Sequence, residues 1–165
     1  MHQKYFNFTT LINTHLTNAF WNWLGPVTCA LRFKRYINTL WFHGLIYGLI
    51  SKEDCEVVLQ RRAVGTFIVR FSETCPGFFA VSYVANTPAE GDCVMHYLVD
   101  HTDIGSQKTL PDFLRTKEQF QIVAQLSPNT GQLNCYDKDA MLAQYYSKGK
   151  FLSAKREGYQ PLNPV

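Results

Sequence analysis

The chain has 165 residues, a mass of 19.0 kDa and a formal net charge of +3. Its length fits one domain of ordinary size with a small extension, and 46% hydrophobic with 15% aromatic residues indicates a folded core and not a disordered tail. The mild charge gives no argument for nucleic-acid binding, and none is expected of this segment; the five scattered cysteines show no Cys-x-x-Cys pair for zinc, and no stretch approaches the roughly 18 apolar residues of a membrane span. No metal or other cofactor is expected. An odd cysteine count without framework spacing favours a reducing compartment such as the cytoplasm. Residues 1–7 lack the apolar run and the cleavage site of a secretory signal.

In residues 8–24, Phe8, Leu11, Ile12, Leu16, Ala19, Phe20, Trp23 and Leu24 recur at helical spacing, and Gly25-Pro26 is expected to stop that helix. A second helix is predicted over about 27–41. Leu31, Tyr36, Ile37 and Leu40 point inward and Arg32, Lys34 and Arg35 form a solvated basic face. Ser51 is a good N-cap, Glu53 and Asp54 favour the helix dipole, and residues 52–61 follow as a helix with Cys55, Val58 and Leu59 inward. Lys52 at its start is a poorly placed cation unless an anion visits.

Residues 65–74, Gly-Thr-Phe-Ile-Val-Arg-Phe-Ser-Glu-Thr, read as a strand covered on both faces that runs into a polar turn. Arg70 directly follows the apolar run. A charge carried by a core strand needs an anionic partner, because burying it alone costs several kcal/mol. Ser72, Glu73 and Thr74 belong to a turn whose hydroxyls and N–H groups suit phosphate oxygens. Cys75-Pro76-Gly77 is a tight turn, 78–84 is the next strand, 86–92 a polar hairpin loop and 94–99 a third strand. These three strands are expected to be adjacent and antiparallel. Beyond them come a short helix at 109–116, a strand at 120–126, a turn at 127–131 and a helix at 138–146.

Gly-Thr-Phe followed by two apolar residues and Arg-Phe-Ser-Glu resembles the phosphate-binding strand of a Src-homology-two domain, in the form found in STAT transcription factors. The likeness extends upstream. Phe20-Trp21-Asn22-Trp23, a later Trp41 and Tyr47-Gly48-Leu49-Ile50-Ser51-Lys52 are similar to the helical linker that precedes that domain in STAT proteins. The resemblance implies an α+β fold, a central antiparallel sheet flanked by two helices. Residues 1–47 would be the linker-like segment and 48–165 the domain. It weakens over about 104–135, which is expected to be an inserted segment beside the peptide groove. Either 138–146 or 109–116 could be the family's second helix; the Tyr-Tyr-Ser ending favours the former.

The resemblance further implies a non-catalytic phosphotyrosine-binding adaptor. Arg70 would grip two phosphate oxygens, with Lys52, Ser72, Glu73, Thr74 and His96 around the phosphate and Tyr97 and Val99 along the peptide groove. His96 has the alternative of a purely structural strand histidine. Partners would be tyrosine-phosphorylated proteins or peptides, with the unphosphorylated chain a monomer in the cytosol. No nucleophile elbow, phosphate loop or dinucleotide fingerprint supports an enzyme. Other readings are the C-terminal part of a STAT-like factor that dimerises through phosphotyrosine and acts in the nucleus, or a bacterial effector in a host cytosol. Tyr159, in the polar stretch 155–162, is either a phosphosite for such pairing or a residue packed on the domain.

Overall fold

The structure is a computed structural model that describes residues 14–147, apart from positions 90, 101, 106, 107 and 128. Residues 8–13 of the first expected helix, and Tyr159, lie outside the described residues. Helix α1 (Thr14–Phe33) runs through Gly25-Pro26, where the sequence predicts a stop. Proline removes an N–H and crowds the preceding turn. Tertiary packing outweighs that penalty here. Val27 and Ala30 are buried in the core and Trp23 Nε1 donates to the Ser72 carbonyl at 2.9 Å, while within the helix the Thr28 hydroxyl donates to the Gly25 carbonyl at 2.7 Å. The break comes ten residues later, at Tyr36, whose left-handed backbone (φ 68°) caps α2 (Ile37–Phe42). Of the four residues expected inward, Ile37 and Leu40 are buried, and Leu31 and Tyr36 are half-buried against the same core.

Strand β1 (Ile46–Gly48) leads to α3 (Lys52–Leu59), capped by Ser51 Oγ accepting from the Asp54 N–H at 2.9 Å. Strands β2 (Thr66–Phe71), β3 (Phe79–Thr87) and β4 (Gly91–Val99) form the expected antiparallel trio. The β3–β4 loop is tighter than the predicted 86–92, because Asn86 and Thr87 still pair with Asp92 and Gly91. Then follow α4 (Leu110–Thr116), β5 (Ile122–Leu126), β6 (Leu133–Asp137), α5 (Lys138–Leu142) and one 3-10 turn, Ala143–Tyr145. The sheet order is β4-β3-β2-β5-β6, with β1 and β5 both parallel to β2 on its other edge. Gly65 makes that junction possible. Its φ is +87°, its carbonyl accepts from the N–H groups of both Gln121 and Ile122, and a side chain there would press on Gln121.

Because side chains alternate across a sheet, β2 divides the molecule. Phe67, Val69 and Phe71 join the larger core with Phe79, Val81, Val99, Phe113, Phe120, Leu142 and residues of α1 and α2. Ile68 faces the other way, into a smaller core with Cys55, Leu59, Val84 and Ala124. Arg70, two residues along β2 from Ile68, falls on this α3 side.

Candidate functional site

Arg70 occupies the fifth position of β2 and is 2% exposed. Its Nε donates to Ser82 Oγ at 3.2 Å and its Nη1 to the Phe71 carbonyl at 3.2 Å. The one carboxylate within ion-pair distance among the described residues is Glu73, with Oε2 at a long 3.8 Å from Nη1 and a side chain 47% exposed. Nη2 has no acceptor among the described residues, and no buried side-chain polar atom among them lacks a partner. One edge of the guanidinium is therefore both uncommitted and open. Such a fork, held from behind and free in front, is arranged for an incoming anion.

The groups holding it form a chain. Ser82 lies across the sheet from Ile68 and beside His96, so alternation sets Ser82 and His96 on the α3 face with Arg70. Ser82 Oγ is 2.9 Å from His96 Nδ1, and His96 Nε2 is 3.2 Å from Glu56 Oε1. Since Ser82 accepts from Arg70, its own proton is available to Nδ1, which leaves an Nε2–H to donate to Glu56. Cys55 completes the back wall. Burial pushes its thiol pKa up, against a hydrogen bond with Ser82 and the nearby Arg70 charge.

The polar turn closes over this base. Ser72, 4% exposed, gives its N–H to the Phe78 carbonyl at 2.9 Å, and its Oγ accepts from the Cys75 N–H at 3.1 Å. Trp23 holds its carbonyl from α1, and Gly77 (φ +79°) sits against Pro26, where a Cβ would collide at 2.7 Å. The N–H groups of Glu73 and Thr74 have no acceptor among the described residues. Glu73 Oε2 accepts from the Lys52 N–H at 3.3 Å, which brings the turn to the start of α3. Lys52, Glu73 and Thr74 are exposed.

Arg70, Lys52, Ser72, Glu73, Thr74 and His96 thus gather at one end of α3. Tyr97 lies on the opposite face. Its ring packs on Phe113 at 5.5 Å, and its hydroxyl donates to Asp103 at 3.0 Å. Val99, expected on the groove, is 1% exposed and belongs to the core, because it pairs with Phe79 beneath the helices. Ser82 and Glu56 were not singled out in the sequence, and Cys55 and Trp23 were read there only as an inward helix residue and as part of the linker resemblance. Ser82 left a signal there as the one small polar residue in the run from Phe79 to Val84.

Among known proteins, the SH2 domain family matches residues 41–127. Signal transducer and activator of transcription A of Dictyostelium discoideum is 35% identical over 164 residues, covering 96% of this chain and 23% of the relative. Signal transducer and activator of transcription B of the same organism is 33% identical over 174 residues, 88% of this chain and 15% of the relative. Signal transducer and activator of transcription 4 of Homo sapiens is 30% identical over 134 residues, 78% of this chain and 17% of the relative. The chain spans less than a quarter of the length of these relatives. The family match contains α3, the strands β1–β5 and α4. Of the two candidates for the second helix, the one at 109–116 lies inside it.

Proposed function

Because the chain belongs to the SH2 domain family, we propose that it is a phosphotyrosine-binding signalling module whose phosphate is received by Arg70. The observation that carries this reading is the buried guanidinium with an open edge beneath a turn whose Glu73 and Thr74 N–H groups are uncommitted. A phosphate of nearly two negative charges would displace the long Glu73 contact. It would take two hydrogen bonds from the Arg70 fork and further ones from the turn N–H groups and the hydroxyls of Ser72 and Thr74. Lys52 adds charge from the helix start. His96 acts through Ser82, fixing where the guanidinium sits. An arginine rooted in a central strand is reached by the long phenyl ester of phosphotyrosine and not by phosphoserine.

The role is capture without catalysis, and the partners are tyrosine-phosphorylated proteins. Among the described residues no helix is long and apolar enough to cross a membrane. We place the chain in the cytosol, where tyrosine phosphorylation signals and the free cysteines stay reduced. Residues 1–47 are read as a helical linker and 48–165 as the domain. The match to signal transducers of transcription favours a second reading, in which this segment works within a longer factor that pairs through phosphotyrosine, with Tyr159 as the modified residue.

Fluorescence anisotropy with a phosphotyrosine peptide and its unphosphorylated twin tests the first reading. Only the phosphorylated peptide should bind. Arg70→Ala should cost about 2–5 kcal/mol of binding, the scale of one buried charge pair, with an unchanged circular-dichroism spectrum. Binding within tenfold of the parent would show that the phosphate goes elsewhere. Hydrolysis of a generic aryl phosphate would point instead to an enzyme.

A further inference from the structure

Two clefts extend from the phosphate turn along the α1–α2 junction, and they share Phe33 and Lys34. The first, about 360 Å³, begins at Gly77 and Phe78 of the turn. The second, about 550 Å³, has Ile37, Ile104 and Leu110 on its floor and Lys34, Arg35 and Lys108 on its walls. Among the described residues no carboxylate lines either cleft. The three cations are held by aromatic rings, not by acids. Lys34 Nζ lies 5.6 Å from the Phe79 ring centroid, the Arg35 guanidinium 4.5 Å from that of Tyr36, and Lys108 Nζ 5.5 Å from that of Phe113. None of the three makes an ion pair among the described residues. Burial lowers the Lys34 pKa with no nearby acid to restore it.

The surroundings tie this cleft to the peptide groove. Phe113 packs on Tyr97, and Gly77 and Phe78, which line the first cleft, belong to the turn that the Ser72 N–H closes on the Phe78 carbonyl. The cleft lies on the sheet face opposite Arg70, so a peptide anchored at Arg70 that crosses the turn reaches a pocket with an apolar floor and walls of one sign.

We propose that this cleft selects phosphotyrosine peptides with acidic residues after the phosphotyrosine, their carboxylates being received by Lys34, Arg35 and Lys108 and their aliphatic stems by Ile104 and Leu110. This specificity rests on the reading of Arg70 as the phosphate anchor. It assigns a recognition role to residues 33–37, which lie ahead of the matched family segment. Charge complementarity and continuity with the phosphate turn favour this occupant over an uncharged one.

The test uses the full chain and two phosphotyrosine peptides, one followed by glutamates and one by glutamines, measured at two salt concentrations. The glutamate peptide should bind about five- to tenfold tighter at low salt, the scale of a few partly screened charge pairs, and the advantage should shrink at high salt. In the triple variant Lys34→Gln, Arg35→Gln, Lys108→Gln the advantage should vanish, while affinity for the glutamine peptide and for free phosphotyrosine stays at the parent value. Each single variant, checked by thermal unfolding, should remove part of it, which covers a triple variant that fails to fold. Equal affinity for the two peptides, or an advantage that survives the substitutions, overturns the inference while leaving Arg70-dependent binding intact. Binding of neither peptide, or binding indifferent to Arg70→Ala, overturns the phosphate reading and this inference with it.

Discussion

Arg70 illustrates how a single side chain can be read before any fold is known. It is the one charge attached to a run of apolar β-formers, and burial without a partner would be costly, so an anion is implied. The structure adds what holds it. Ser82 and the Phe71 carbonyl occupy Nε and Nη1, and the free edge faces out. Ser82 was not legible as a partner, because register between β2 and β3 is set by the turn at 75–77 and not by composition. Ser82→Ala should leave Arg70 and His96 less well placed and weaken phosphopeptide binding several-fold, with Ser82→Thr retaining more than Ser82→Ala. Equal affinity in all three proteins would show that Ser82 does not position the guanidinium. Lys52 sits exposed at a helix start, where charge pairs are weak. Lys52→Ala should lower affinity by about 1 kcal/mol or less and flatten its salt dependence. An unchanged salt slope in titrations at two ionic strengths would remove Lys52 from the site.

At the scale of elements, periodicity located most helices and strands but misjudged their ends. Gly25-Pro26 is a stop signal in isolation. It fails because Val27, Ala30 and Trp23 are held by residues far along the chain. Strand β6 escaped notice because it is a half-exposed edge, Leu-Asn-Cys-Tyr-Asp, with no apolar face to announce it. Helix α4 was legible from Thr109-Leu110-Pro111-Asp112, and the structure shows a capping box there with Pro111 in the first turn. Asp112 does more than cap. It is 1% exposed and accepts from the Ser147 N–H at 2.8 Å and the Ser147 hydroxyl at 2.7 Å, tying α4 to the segment after Tyr145. Asp112→Ala should therefore cost about 2 kcal/mol or more in urea unfolding. Burial by itself would raise the Asp112 pKa, but the hydrogen bonds from Ser147 and Thr109 outweigh it and hold the carboxyl below its ordinary range. A folded-state pKa below the unfolded one adds stability above the unfolded value, about 3.9, and that gain disappears as pH falls through the folded pKa. The cost of Asp112→Ala should accordingly be full at neutral pH and shrink on acidification below about 4. A cost independent of pH would contradict an ionised Asp112.

At the scale of the whole molecule, the helical segment and the sheet share one core. Val27, Ala30, Ile37 and Leu40 pack with Phe71, Phe79 and Tyr145, and the His43 ring nitrogen Nδ1 is 2.8 Å from the Tyr145 hydroxyl. The α+β class was legible, since helical and strand periods both occur and the continuous apolar run of β2 marks a central strand. The sharing was not, because no local pattern says which helix lies on which face. All three tryptophans, Trp21, Trp23 and Trp41, lie in α1 and α2, so their emission reports the helical segment. One core predicts that unfolding followed by tryptophan emission coincides with unfolding followed by circular dichroism. An earlier transition in emission would show a separately melting linker. Leu40→Ala should destabilise both signals together by about 2–5 kcal/mol, as for a buried leucine.

The capture of phosphotyrosine at Arg70 is tested most directly by titrating free phosphotyrosine into the nitrogen-15-labelled chain and following its proton–nitrogen NMR spectrum. The predicted result is saturable shifts concentrated on Arg70 Nε, the Glu73 and Thr74 amides and the first turn of α3, all absent in Arg70→Ala. Shifts centred elsewhere, or the same shifts surviving in Arg70→Ala, would contradict it.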